Sequence, residues 1–157
     1  MSDRPSTLLG WRLLALLYDF FPLLALWFVA ATVFTFAHGD AVRGGWLGAM
    51  EFVVFLAIAG LYATLSWKRG GQTIGMRPWR LRVVADDGGA PEFSRLWRRF
   101  GMGCLSLAIG GLGFWWAWFD RDRLTWHDRA SATRLVRLPK TGRAGNSLPL
   151  PSGNGGG

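Results

Sequence analysis

The feature that most limits what this chain can fold into is the apolar run from Leu8 to about Phe36, with Arg12 at its mouth and Asp19 inside it. Between Leu13 and Ala37, Asp19 is the only formally charged side chain in 25 residues. About 20 apolar residues cross the roughly 30 Å hydrocarbon core of a bilayer, so this run is long enough to span. A carboxylate at that depth costs on the order of 2.5–3.5 kcal/mol even on lenient insertion scales, so Asp19 is expected to face protein or water, not lipid. Arg12 and Asp19 are seven positions apart, about two helical turns, and share one helix face. The run is longer than the 7–15 residues of a secretory h-region and is interrupted by Asp19, so it reads as a retained helix. Pro22 is a candidate kink.

A second apolar block, Trp46–Trp67, is bracketed by Trp at both ends and has one charge, Glu51. At 1.5 Å per residue, Asp19 and Glu51 lie at depths more than 10 Å apart, which argues against a direct contact. The third block, Phe100–Phe119, is uncharged and carries Gly101, Gly103, Gly110, Gly111 and Gly113. Gly103, Ser106 and Gly110 form small faces on which another helix can pack closely.

Between blocks two and three, Lys68–Arg99 holds eight Lys/Arg against three acids. The positive-inside bias makes this segment cytoplasmic, which puts the N-terminus inside and the Ala37–Gly45 link outside. The same bias accounts for the net charge of +8 without nucleic acid. Within the basic segment, Trp79–Val84 alternates apolar and basic residues and meets the turn Asp86–Pro91, as a short strand would. Phe93, Leu96, Trp97 and Phe100 fall at helical spacing beside Arg95, Arg98 and Arg99, the pattern of an amphipathic helix at a membrane surface. Thr133–Arg137 is a second alternating run, expected to pair with the first.

A plain span through Phe100–Phe119 would carry seven later Lys/Arg outside. Charge bias and strand pairing therefore favour a bend at Gly110-Gly111-x-Gly113 and a return to the cytoplasm. The alternative is a simple span.

Three motifs together resemble the RDD family of small membrane proteins. They are Arg12-x-x-Ala15-x-x-x-Asp19, Gly71-Gln72-Thr73-Ile74-Gly75, and Thr125-Trp126-His127-Asp128-Arg129 followed by Thr133. The similarity runs from about Leu9 to Arg137; Met76 departs from it, since a Lys often follows the glycine-glutamine run. The family's name refers to one arginine and two aspartates, which map to Arg12, Asp19 and Asp128. The resemblance implies a membrane protein with no settled activity, at most a transporter of monovalent cations or protons. It also implies pairing of Arg12 with Asp128 at the inner face.

Other chemistries are poorly served. Gly70 and Gly75 imitate part of a phosphate-binding loop, but Met76-Arg77 stands where Lys-Ser/Thr is required. His127-Asp128 resembles a metal dyad, yet the one other histidine, His38, is expected on the opposite side of the membrane. No nucleophile–His–acid set is visible, so neither an enzyme, a metal nor a cofactor is expected. Cys104 is the single cysteine, so no intrachain disulfide can form.

The reading is a multi-pass α-helical protein of a bacterial-type inner (plasma) membrane. It has two transmembrane helices, a third glycine-rich re-entrant segment and short cytoplasmic β elements. Residues 1–7 and 139–157 are expected to be loose flanks around one domain, 8–138. Two functional classes follow: a cation or proton transporter in which Asp19 titrates, or a non-catalytic membrane scaffold. Three apolar segments make a thin wall, so transport would call for a homo-oligomer.

Overall fold

The computed structural model describes residues 8–39, 44–122 and 124–139. The expectation of a loose N-terminus falls outside the described residues, as does that of a disordered tail beyond Pro139. Helix α1 spans Leu9–His38 and α2 spans Gly45–Gly70. Both are long and apolar enough to cross a membrane. Only Leu9, Arg12, Ala15 and Asp19 are buried on α1, and Phe28, Val33, Phe52 and Val53 are exposed. In water such a surface would be untenable; against lipid it is ordinary. α1 continues through Pro22, whose missing N–H leaves the Tyr18 carbonyl without its helical donor.

After α2, Gly71 caps the helix in the left-handed conformation and residues 74–80 wind through turns. Strand β1 then spans Leu81–Ala85 and pairs antiparallel with β2, Thr133–Arg137, in the register Leu81–Arg137 to Ala85–Thr133. The first strand begins two residues later than the alternation of Trp79–Val84 suggested. Arg80 adopts φ +56°, and Leu81 N–H donates back to Met76 O at 3.1 Å, so the chain is still turning there. A two-stranded sheet is marginal alone. This one packs Leu81 and Val83 with Met76, Leu96 and Ala15, and Trp11, Trp67 and Trp79 close over them.

The amphipathic segment and the start of the third apolar block are one helix, α3, Phe93–Ala108, not two elements meeting at Phe100. Nothing between Arg99 and Gly103 interrupts the backbone ladder, because isolated glycines weaken a helix without ending it. The break comes at Gly110 and Gly111, both left-handed (φ +74° and +78°), and α4, Leu112–Phe119, leaves at 98° to α3. Ser106 is buried against Gly113 inside this corner, whereas a Cβ on Gly103 would meet nothing within 4 Å. Trp115, Trp116 and Trp118 stand on the exposed surface of α4. A short helix, α5 (Trp126–Ser131), then leads into β2. Because β2 pairs with β1, the chain between them returns to the side it left, as the bend requires.

Candidate polar site at the head of the bundle

Two buried clusters form where the start of α1 meets the loop after α2, α3 and α5. The first is organised on Asp128, whose side chain is fully buried. Thr125 is the N-cap of α5: its hydroxyl accepts from the Asp128 backbone N–H, and the Asp128 carboxylate accepts from the Thr125 N–H at 3.2 Å. That reciprocal capping box points the carboxylate back across the helix start. Arg12 Nη2 donates to Asp128 Oδ2 at 2.7 Å, and Arg99 Nη1 donates to Oδ1. Arg12 Nη1 also reaches Thr125 Oγ1 at 3.1 Å and His127 Nε2 at 3.3 Å. Arg99 Nη1 donates to Thr133 Oγ1 at 2.9 Å, and its guanidinium lies 5.5 Å from the Trp67 ring centre.

Burial alone would raise the Asp128 carboxyl, but Arg99 and Arg12 overcome it and hold Asp128 well below the usual carboxylate range. His127 goes the other way. Burial, reinforced by Arg99 and Arg12, pushes its pKa down to about 3, so the ring is neutral at pH 7. With Arg12 donating to Nε2, the ring proton sits on Nδ1. Two guanidinium groups face one carboxylate here, leaving a buried charge of +1.

The second cluster is organised on Asp19. Tyr62 Oη donates to Oδ1 at 2.6 Å, Gly75 N–H donates to Oδ1 at 2.8 Å, and Thr73 Oγ1 donates to Oδ2. Tyr62 in turn accepts from the Ile74 N–H at 3.2 Å. The loop therefore gives the carboxylate one backbone and one hydroxyl donor, and α2 adds the Tyr62 hydroxyl. The loop does so at very close range: a Cβ on Gly75 would sit 2.7 Å from the Asp19 carboxyl carbon and collide with the Ala15 carbonyl.

Of the residues singled out from sequence, the fold brings Arg12, His127, Asp128 and Thr133 into the first cluster and Asp19, Thr73 and Gly75 into the second. Gly71 and Gln72 touch neither carboxylate. Gly71 O accepts from Val83 N–H at 2.7 Å and Gln72 Nε2 donates to Leu81 O at 2.7 Å, fastening the loop to β1. Arg99 and Tyr62 escaped sequence reasoning, and Thr125, though part of the third motif, was not given its role. Thr125 was legible as a capping residue three before Asp128. Arg99 was indistinguishable from seven other basic residues in its segment, and Tyr62 carries no local signal at all.

Among the described residues no group of three His, Cys, Asp or Glu side chains is close enough to hold a metal. The geometry offers fixed charges and buried hydrogen bonds in place of an open coordination site. Compared with known proteins, the chain matches the family model described as RDD family over residues 7–132. No curated protein and no solved structure matches it.

Proposed function

The chain belongs to the RDD family, and on that premise we propose that it is a non-catalytic membrane scaffold whose buried charges hold a re-entrant hairpin and a small sheet against two spanning helices. One observation carries this reading. Both oxygens of Asp19 are already engaged by Tyr62, Thr73 and Gly75, and both oxygens of Asp128 by arginine. A carboxylate that carries protons or cations must exchange partners during a cycle. Here exchange would strip a buried charge of donors that each contribute about 1.5–3 kcal/mol. His127 and Asp128 are likewise used in packing and ion pairing, which favours a protein that is not an enzyme.

The rival reading, transport of protons or monovalent cations, is favoured by the presence of Asp19 and Tyr62 in the wall of a cavity of about 320 Å³. In that case Asp19 would titrate, Arg12 and Asp128 would set its field, and a homo-oligomer would complete the pathway. Charge bias supports an inner (plasma) membrane location with the N-terminus in the cytoplasm.

Ion flux into liposomes holding the purified protein separates the two. A scaffold gives flux equal to that of protein-free vesicles. Proton or sodium flux present in wild type and abolished by Asp19→Asn would establish transport and overturn the scaffold.

A further inference from the structure

The same cavity has a shape and polarity that neither reading uses. It lies between α1, α2 and α3 and is closed by the loop after α2, the sheet, α4 and α5, and along α1 it runs from Arg12 to Trp27, fifteen positions or about 22 Å. One end carries Arg12, Arg99 and His127; the far wall is apolar, with Leu23, Leu56 and Leu107. At the polar end two cations oppose one anion. Two donors there, Arg12 Nε and His127 Nδ1, are buried and without a hydrogen-bond partner among the described residues. Arg12 and His127 are each 6% exposed, so bulk water does not serve those groups. Leaving buried donors unpaired costs about 1–3 kcal/mol each, and an acceptor in the cavity reaches them only once the Arg12 and His127 side chains turn toward it.

The complementary ligand is long, thin and apolar, with an anionic end rich in acceptors. α1 has 30 residues and is about 45 Å long, some 15 Å more than the hydrocarbon core. Its first turns therefore reach headgroup depth while the rest of the cavity stays beside acyl chains. Asp19 also lines the cavity but stands two turns, about 10 Å, deeper than Arg12, so the two arginines are the nearer charges to a headgroup seated at Arg12.

We propose that this cavity binds one acyl chain of an anionic membrane phospholipid, with the phosphate seated against Arg12, Arg99 and His127. The buried positive charge selects against a zwitterionic headgroup, whose own cation would lie beside the two arginines. Basic pockets between membrane helices are suited to such headgroups.

Gly103 gives a clean test. It lines the cavity, and a Cβ built there meets nothing within 4 Å, so a side chain can start from that position without a clash at its first carbon. The full chain is reconstituted in nanodiscs of equimolar phosphatidylglycerol and phosphatidylcholine, extracted in mild detergent, and its retained lipid counted by native mass spectrometry. Wild type is expected to keep one phosphatidylglycerol at least tenfold over phosphatidylcholine. Gly103→Phe is expected to lose it, with helical circular dichroism unchanged. Equal retention of the two lipids by wild type, or undiminished phosphatidylglycerol on folded Gly103→Phe, overturns the proposal. Should Gly103→Phe fail to fold, the wild-type competition still decides the matter, since it depends on no variant.

Discussion

Arg12 on the first helix donates to Asp128, 116 positions later, at 2.7 Å, and both side chains are almost wholly shielded from solvent. The contact ties the two ends of the described chain into one cluster. Its strength is conditional: a buried pair contributes little against an apolar replacement, but removing one member strands the other.

Asp128→Asn should therefore destabilise the protein by about 3–5 kcal/mol, because Arg12 and Arg99 would remain buried without their counter-charge. Asp122→Asn is the control: its carboxylate is exposed and only 3.5 Å from Arg129, so its loss should change stability by less than about 1 kcal/mol. Thermal melting in detergent, followed by circular dichroism, measures both. Equal melting temperatures would remove the central role given to Asp128.

At the second cluster, Tyr62→Phe deletes a donor to Asp19 and an acceptor for Ile74 N–H while keeping the ring. A loss of about 1–3 kcal/mol is expected. Combined with Thr73→Val, the double variant should depart from additivity, because both hydroxyls serve one carboxylate. Strict additivity would mean that the two act independently.

Gly75→Ala should disrupt the loop, since its Cβ has no room between Ala15 and Asp19. Gly70→Ala, five residues earlier, meets nothing within 4 Å and should be tolerated. Comparing the folded yield of the two after detergent extraction tests the close approach directly.

Stability should fall as pH falls. In the unfolded chain His127 takes up a proton near its ordinary value of 6.5, while in the folded state it resists protonation down to about 3. Within that window the unfolded state binds more protons, so lowering pH favours unfolding by up to about 1.4 kcal/mol per pH unit. Asp128 acts in the same direction lower down. Its depressed folded value gives stability that is present above the ordinary carboxylate range and lost as pH drops through and below it. Melting temperatures from pH 7 to 4.5 should decline in wild type and flatten in His127→Phe. A wild-type profile as flat as that of the variant would show that His127 is not buried neutral.

The paired strands make a topological prediction. Reporters inserted at the Gly88-Gly89 turn and fused after Arg137 should signal from the same side of the membrane. Opposite signals would be incompatible with the Leu81–Arg137 register.

What the sequence by itself determined is what depends on local physics. Spans follow from uninterrupted apolar length, and the corner at Gly110-Gly111 follows from backbone freedom that other residues lack. The strand pairing was visible too, because alternation and charge both required Trp79–Val84 and Thr133–Arg137 to share a side. The tertiary structure alone decided who answers each charge. Arg12 and Asp19 occupy one face of α1, yet they serve different clusters, because the loop after α2 folds down over Asp19 while α5 crosses above it to Arg12. Tyr62 and Arg99 meet their carboxylates across 43 and 29 positions of chain. Such partners are chosen by depth and rotation among packed helices. Hydropathy and periodicity report only which face is buried, not which side chain waits on the other side.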